Sequence, residues 1–168
     1  MNNKSILLIE DNEIIVRAYK QLLENAGYSV QTCNNGKAAL NVLEALRFDL
    51  VILDLMIPEI DGMEVLKRAR SLLWQQRTAV VVFSSVNLDI IKEATKKYGV
   101  DHFIDKDSAS PETVLDIVKQ CMVKAPGQPD TLVLSMAKEP ALRKRTAVAD
   151  ELSLYPDPNT PRKEIRMF

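Results

Sequence analysis

Residues that build disulfide frameworks and metal sites are scarce in this sequence. Its 168 residues include two cysteines, Cys33 and Cys121, and one histidine, His102. The cysteines have no metal-ligand spacing, so we expect two small, buried hydrophobic residues in a reduced, cytoplasmic protein. His102 is expected to be an ordinary strand residue at the surface.

An excess of charge and long apolar runs are also missing. The 22 Lys and Arg residues nearly balance the 23 Asp and Glu residues, which leaves a formal net charge of -1. This balance offers no electrostatic attraction to nucleic acid or to an acidic membrane. The first apolar run, residues 6–9, is too short for a signal-peptide core or a membrane span. We therefore expect a soluble protein that does not associate with a membrane.

Proline is nearly absent from the first part of the chain and frequent in the last part. Six of the eight prolines lie after residue 124, and residues 125–130 have the composition of a linker. The sequence therefore predicts one domain at residues 1–124. Residues 125–168 are predicted to be a Pro-containing linker and a partly ordered tail of unknown role.

Short apolar runs alternate with segments of helical periodicity along residues 1–124. The clearest run, residues 50–53, continues directly into Asp54, and its unbroken aliphatic character predicts a strand buried on both faces. Similar apolar runs are found at residues 6–9 and 79–83, while an alternating segment at residues 28–33 and a weaker one at residues 101–105 also predict strands. Five strand–helix alternations predict an α/β fold, a doubly wound sandwich around a five-stranded parallel sheet.

Local signals predict where the helices begin and end. Asn12 is a suitable cap for the first helix and Gly27 a suitable terminator. Asn34 to Gly36 predicts a turn, and Leu46 is assigned to the apolar stripe of the second helix. Pro111 is expected at the first position of the last predicted helix. The apolar face of that helix is predicted to be Val114, Ile117, Val118 and Cys121.

Polar residues follow four of the predicted strands. Glu10 and Asp11 come after the first, Asp54 after the third, Ser84 after the fourth and Lys106 after the fifth. Right-handed crossovers place the carboxyl ends of all parallel strands at one edge of a sheet, where open α/β folds bind ligands. We therefore expect these five residues to converge, although they are widely separated in the sequence.

The chemistry of this predicted cluster favours a divalent cation and phosphoryl transfer. Three close carboxylates, Glu10, Asp11 and Asp54, repel one another unless a cation neutralises them. Hard oxygen ligands without His or Cys suit Mg²⁺ and argue against zinc. A carboxylate beside a metal can attack phosphorus and form an acyl phosphate. Lys106 and the Ser84 hydroxyl would then stabilise charge on the phosphoryl oxygens.

These residues resemble the receiver domain of two-component response regulators, and the resemblance covers residues 4 to about 123. It is carried by Glu10-Asp11, by Asp54 in the segment DLMIP with Asp61-Gly62 after it, by Ser84-Ser85, and by Phe103 three residues before Lys106. The resemblance implies a flavodoxin-like (βα)5 fold with a C-terminal extension. It also implies a phosphoprotein in phosphorelay signal transduction, which catalyses only its own phosphorylation and dephosphorylation.

The resemblance further implies a role for each site residue. Asp54 would accept a phosphoryl group from a histidine kinase or a histidine phosphotransfer protein. Mg²⁺ would be bound by the side chains of Glu10, Asp11 and Asp54 and by the backbone carbonyl of Met56. Ser84 would move toward the phosphoryl group, and Phe103 would rotate inward as the second part of a conformational switch.

Partners are implied in the same way. The face built from the predicted fourth helix, fifth strand and fifth helix would bind a downstream protein or a second copy of the chain. It carries the charged residues Lys92, Lys96, Lys97, Asp101 and Lys119. Ile14 and Ile15, at the start of the first helix, are candidates for docking of the kinase or phosphotransfer protein.

The sequence departs from the family pattern at two positions. Receiver domains usually carry a Pro in a cis peptide bond directly after the lysine, and here Asp107 follows Lys106. Because a cis bond before a non-proline residue costs about 3–4 kcal/mol, we expect a trans bond and an altered loop. Glu10 replaces the commoner Asp, which lengthens one metal ligand.

Other interpretations remain open. Glu10 and Asp11 can also cap the first helix, and an aromatic strand residue such as Phe103 is commonly part of a core. The chain can be a stand-alone receiver with a protein partner, a transcription regulator whose tail binds DNA through residues 143–145, or a phosphorylation-independent interaction module. DNA binding is disfavoured because the tail has only seven basic against six acidic residues. A flavin-binding protein is disfavoured because no phosphate-cradling loop follows the first strand.

Overall fold

A computed structural model describes residues 3–76, 78–85 and 97–123. The elements of these residues are β1 (Ser5–Ile9), α1 (Glu13–Asn25), β2 (Ser29–Cys33), α2 (Gly36–Ala45), β3 (Leu50–Leu53), α3 (Gly62–Gln76), β4 (Ala79–Ser84), β5 (His102–Asp105) and α4 (Pro111–Val123). Most of the predicted fourth helix and the whole predicted tail lie outside the described residues. The helix named α4 is therefore the one that the sequence predicts as the fifth.

All five strands form one parallel sheet in the order β2-β1-β3-β4-β5. This is the flavodoxin-like strand order, and it confirms the predicted fold. The chain moves from β1 to one side to form β2 and then to the other side to form β3. The point between β1 and β3, where the direction reverses, opens a crevice at the carboxyl ends of the strands.

The apolar core lies in two layers, one on each face of the sheet. Leu7 and Leu53 point to the layer covered by α2 and α3, whereas Leu8 and Ile52 point to the layer covered by α1 and α4. Strands covered on both faces have no solvent side, which explains why their sequences are unbroken apolar runs. All four residues predicted for the apolar face of α4 are buried. Each such aliphatic side chain contributes about 1.5–3 kcal/mol to folding.

Most helix ends follow the sequence signals. The Asn12 side chain caps α1 by accepting bonds from the backbone N–H of Ile14 and Ile15, and Gly27 has a φ of 92° just beyond the helix. The segment from Asn34 to Gly36 is a bend that passes directly into α2, because Asn35 caps this helix.

The predicted place of Leu46 in the second helix is wrong. The residue follows the end of α2 with extended backbone angles (φ -128°, ψ 159°), and it is 47% exposed. Its spacing fits the apolar stripe, but the helix ends at Ala45, and the extended backbone at Leu46 no longer follows the helical periodicity. Among the described residues, no helix is both long and apolar enough to cross a membrane.

Asp49 fastens the start of β1 to the segment before β3. Its carboxylate accepts bonds from Lys4 Nζ at 2.8 Å, from the Ser5 backbone N–H at 2.8 Å and from Ser5 Oγ at 3.1 Å. Partial burial alone would raise the pKa of Asp49, but the bonds from Lys4 and Ser5 outweigh it and hold the pKa below its ordinary value. A lowered pKa stabilises the fold above the ordinary Asp value of about 4, and this stabilisation is lost as the pH falls through the lowered value.

The Asp49→Asn substitution is therefore expected to lower the free energy of unfolding by about 1 kcal/mol at pH 7, because the charged acceptor is lost. The difference from the parent should shrink as the pH falls below about 4, because Asp49 is protonated first in the unfolded chain and then, at its lowered pKa, in the folded protein. Urea unfolding at pH 7 and pH 3 measures both effects. Asp116→Asn is the control, since that exposed carboxylate forms a long ion pair with Lys119, at 3.8 Å, in the part of the chain that the structure describes. An equal loss at both pH values would contradict the prediction.

Candidate functional site

The site lies at the switch point of the sheet, directly beyond β1 and β3. The Asp54 backbone N–H donates to the carbonyl of Ile9 at 2.9 Å, and the Glu10 N–H donates to the carbonyl of Cys33 at 3.0 Å. The ladder therefore continues one residue past each strand, so that both acidic side chains are rigidly placed. They are also deeply buried, with Glu10 1% and Asp54 5% exposed. Buried carboxylates need partners, and the partners come from the ends of β4 and β5.

Both oxygens of Asp54 are held by hydrogen bonds. Oδ1 accepts a bond from Ser84 Oγ at 2.7 Å and from the Met56 backbone N–H at 3.0 Å. Oδ2 accepts a charge-assisted bond from Lys106 Nζ at 2.6 Å. The carboxylate is thus fixed in position and orientation at the base of the crevice, between a hydroxyl from the end of β4 and a cation from the end of β5.

Lys106 bridges two carboxylates. Its ammonium group forms ion pairs with both Glu10 and Asp54, and its side chain is only 12% exposed. The ammonium also lies 5.3 Å from the ring centroid of Phe83, a cation–π contact that the sequence pattern did not reveal. Burial alone would lower the pKa of Lys106, but the hydrogen bonds and charges of the two carboxylates outweigh it and raise the pKa. Lys106 is therefore a permanent positive charge at neutral pH.

The ion pair does not fully compensate for the burial of Glu10. Removal from water raises the pKa of Glu10, and this effect exceeds the opposite effects of Lys106 and of the Asn12 backbone N–H, which donates to Oε1 at 3.1 Å. The carboxylate of Asp54 raises the pKa further. An additional cation beside Glu10 would favour its charged form.

Glu10, Asp11 and Asp54 form a carboxylate cluster. One oxygen from each lies within 4.8 Å of the others, and Asp11 is exposed while the other two are buried. Hard oxygen donors at this spacing fit Mg²⁺, which keeps several water ligands, and the open side at Asp11 leaves room for them. The five polar residues predicted to converge do so, since Ser84 and Lys106 both bind Asp54.

A sequence profile described as response regulator receiver domain matches residues 6–119, more than half of the chain. The chain belongs to this family. It is 32% identical over 129 residues to the alkaline phosphatase synthesis transcriptional regulatory protein PhoP of Bacillus subtilis, with 74% of this chain and 52% of PhoP covered. It is 27% identical over 111 residues to the polar-differentiation response regulator DivK of Brucella anthropi, with 66% of this chain and 90% of DivK covered.

Solved structures agree with this family. A CheY-like response regulator receiver domain protein from Methanospirillum hungatei superposes with a TM-score of 0.67 at 25% identity, over 72% of this chain and 94% of that chain. This chain spans about half the length of PhoP and nearly all of DivK. As a receiver domain it is a signalling protein of a two-component system, with a histidine kinase as its implied partner. Receiver domains bind Mg²⁺ at an acidic pocket, and this structure has a cluster of three acidic side chains beyond β1 and β3.

The receiver tolerates the missing proline after Lys106. Among the described residues no peptide bond is cis, so the bond between Lys106 and Asp107 is trans, as the sequence predicted. Lys106 still reaches Asp54, because its backbone N–H donates to the carbonyl of Ser84 and carries the β4–β5 pairing into the loop. The missing proline therefore leaves the lysine in place.

Phe103 lies in β5 opposite Val82 and packs, half-buried, against the core layer under α2 and α3. This position fits both interpretations of the residue, a core aromatic and one part of a switch. Met56 is 68% exposed, so its side chain, like that of Asp11, points to water. Its backbone N–H contacts Asp54, and the metal-ligand role of its carbonyl stays a prediction.

Two glycines hold the segment after Asp54, although the sequence indicated only that Gly36 belongs to a turn and Gly62 to the receiver motif. Gly62 begins α3 so close to the site that a Cβ atom on it would lie 2.3 Å from the backbone oxygen of Asp54. Gly36 begins α2 and donates its N–H to the carbonyl of Pro58 at 3.2 Å. A Cβ on Gly36 would lie 1.8 Å from the Ile60 oxygen. Close backbone approach therefore requires glycine at both positions.

The Gly62→Ala substitution is expected to lower the free energy of unfolding by about 3 kcal/mol, because the methyl group meets backbone atoms that cannot move aside cheaply. The control is Gly27→Ala, which adds a methyl group in open space at a φ of 92° and should cost about 1 kcal/mol for the backbone conformation alone. Chemical denaturation of the two variants compares steric overlap with backbone strain. Equal losses would argue against tight packing at Gly62.

Proposed function

We propose that this chain is a stand-alone receiver that accepts a phosphoryl group on Asp54 from a histidine kinase or a histidine phosphotransfer protein. The observation that carries the proposal is the placement of the Asp54 carboxylate, buried at the sheet switch point between the Ser84 hydroxyl and the Lys106 ammonium group. A carboxylate held in this way is oriented for attack and lies beside the charges that a phosphoryl group requires.

In the proposed reaction an oxygen of Asp54 attacks phosphorus, the P–N bond of a phosphohistidine breaks, and the electron pair leaves with the imidazole nitrogen. Lys106 and Ser84 donate hydrogen bonds to the phosphoryl oxygens and stabilise the negative charge that develops there. Mg²⁺ held by Glu10, Asp11 and Asp54, with the Met56 carbonyl, would neutralise the carboxylates and the incoming oxygens. The acyl phosphate stays on the protein until hydrolysis, so no separate substrate is turned over.

We further propose that phosphorylation acts through Ser84 and Phe103. Ser84 Oγ already bonds to Asp54 Oδ1, so a phosphoryl oxygen on Asp54 would take over as acceptor and draw the β4 loop with it. Phe103, on the neighbouring strand and only half-buried, would rotate inward to fill the space. Two discrete packings of this kind form a bistable element that a local charge change can bias.

Partners are proposed from the surfaces next to these elements. Ile14 is 80% exposed at the start of α1, beside the crevice, and suits docking of the phosphodonor protein. The downstream partner, or a second copy, would bind the face that includes β5 and α4, where Lys97 and Asp101 are exposed. Lys92 and Lys96, which were assigned to the same face, lie outside the described residues. We propose a cytoplasmic location, where histidine kinases transfer their phosphoryl groups.

Incubation with a small phosphodonor and Mg²⁺ tests the proposed acceptor. We expect intact mass to show one added phosphoryl group, which disappears when the metal is chelated beforehand, and peptide mapping to place the group on Asp54. Addition elsewhere would contradict the proposal. No addition from either a small donor or a phosphorylated histidine phosphotransfer protein would favour a phosphorylation-independent interaction module.

A second candidate is a transcription regulator, which PhoP of Bacillus subtilis is by name. DivK, whose length is almost wholly covered, favours the stand-alone receiver. The basic residues 143–145 would be the DNA contact of the second candidate, and they lie outside the described residues. Binding to duplex DNA that weakens steeply with salt would support the transcription regulator.

A further inference from the structure

The contacts between β4 and β5 continue beyond the ends of both strands, first through the backbone and then through side chains. Past the Ser84–Asp105 rung, the carbonyl of Ser84 accepts the Lys106 N–H at 3.3 Å. The next contact outward joins Ser85 Oγ to Asp107 Oδ1 at 2.9 Å. Ser84 and Lys106 face Asp54, whereas Ser85 and Asp107 are exposed and touch neither Asp54 nor the carboxylate cluster in any described contact. Ser85 and Asp107 directly follow the two residues that bond to Asp54, so their hydrogen bond joins the two segments that supply these donors.

A compact turn holds Asp107 in place. The carboxylate of Asp105 accepts the Asp107 backbone N–H at Oδ1, 3.0 Å away, and Ser108 Oγ at Oδ2, 2.9 Å away. The carbonyl of Asp105 also accepts the Ala109 N–H at 3.0 Å. Side chains that bond to their own backbone in this way fix tight turns. Asp107 is therefore presented to Ser85 by a turn that would hold its shape without the Ser85 contact.

We propose that Asp107 is a positioning residue for phosphoryl transfer, and that its bond to Ser85 sets the spacing of Ser84 and Lys106 around Asp54. The proposal rests on the proposed function of Asp54 as acceptor. Ser84 Oγ, at the end of β4, and Lys106 Nζ, directly after β5, each reach a different oxygen of Asp54. A change in the distance between the two segments moves these donors away from where phosphoryl charge develops. Asp107 acts on the reaction only through them.

The Ser85–Asp107 bond is exposed, and exposed bonds to charged groups contribute little to global stability. If the bond had no function, its removal would change neither the stability nor the rate of phosphorylation. If the bond positions Ser84 and Lys106, its removal lowers the rate of phosphorylation and leaves the stability almost unchanged. Rate and stability measured together therefore distinguish the two.

The experiment compares Ser85→Ala, Asp107→Ala, the double variant and Asp107→Asn. At saturating small phosphodonor and Mg²⁺, we expect each single alanine variant to phosphorylate about three- to ten-fold more slowly, and the double variant to be no slower than the singles. Asp107→Asn keeps an Oδ1 acceptor of the same shape and should restore the parent rate. The donor concentration at half-maximal rate and the thermal midpoint should stay unchanged. Asp116→Ala, an exposed carboxylate on α4, is the control.

Parent-like rates in both alanine variants, or losses that add in the double variant, would overturn the positioning role. Amide exchange gives a readout that needs no phosphorylation. The N–H of Lys106, bonded to Ser84, should exchange several-fold faster in Ser85→Ala than in the parent, and an unchanged rate would also overturn the role. If the parent itself takes up no phosphoryl group, the proposed function fails, and amide exchange still decides whether the bond joins the two segments.

Discussion

Asp54→Asn is expected to take up no phosphoryl group under conditions in which the parent is fully modified. The amide keeps the shape of the carboxylate and an oxygen that accepts the Ser84 hydroxyl, so the fold should be retained. It has no anionic oxygen to attack phosphorus, and it removes one of three clustered carboxylates. Intact mass with a small phosphodonor and Mg²⁺ measures the loss, and circular dichroism checks the fold.

Asp61→Asn is the matched control. Asp61 lies in the same segment, is exposed and caps α3 by accepting the Glu64 N–H at 2.8 Å, a bond that Asn also accepts. This variant should gain one phosphoryl group like the parent. Equal modification of the Asp54→Asn protein would show that another residue is the acceptor and would remove the basis of the proposed mechanism.

Lys106→Met is expected to slow phosphoryl transfer by about 10²–10³-fold, the usual loss when one preorganised donor is removed from a developing negative charge. Met keeps most of the length and the apolar stem of Lys but removes the ammonium group, and with it the cation–π contact to Phe83. The Asp54 carboxylate would remain, and Mg²⁺ binding should persist because all three carboxylates are retained. The rate at saturating donor is the relevant measurement, with metal affinity determined separately by calorimetry.

The same variant should be less stable without metal. Removing the cation leaves Glu10 and Asp54 buried without their ion pair, which costs about 3 kcal/mol at neutral pH. Because the pKa of Glu10 would rise further, this loss should grow as the pH increases above the ordinary Glu value and Glu10 ionises. Lys67→Met is the control, since Lys67 is exposed and its ion pair within the described residues is with Glu64 at 3.2 Å. A Lys106→Met protein with the parental rate would contradict the role of the ammonium group.

The positions of the site residues were predictable because they follow strands. A carboxylate or a lysine directly after a buried parallel strand lies at the carboxyl edge of the sheet, and the side-chain period of two leaves little freedom in its placement. Asp54 after residues 50–53 is the clearest example. Family resemblance then added roles, such as the switch at Phe103, that position in the sheet does not imply.

Features that depend on loops were not predictable in the same way. Nothing in the sequence near Gly62 indicates that its Cα packs against the Asp54 peptide, because the two segments meet only after α3 docks on the sheet. The bond between Ser85 and Asp107 joins residues 22 positions apart. The apolar spacing also did not predict the end of α2 at Ala45, because this spacing continues to Leu46.

By itself, the sequence determined the architecture and the chemical composition of the site. Unbroken apolar runs require a sheet covered on both faces, and alternation with helices requires parallel strands that end at one edge. Only the tertiary structure decided how the charges pair. Lys106 bridges Glu10 and Asp54 rather than only one of them, because its long side chain reaches from the end of β5 past the end of β4 to the ends of β3 and β1. Periodicity specifies which residues face inward, whereas pairing distances depend on how the elements pack.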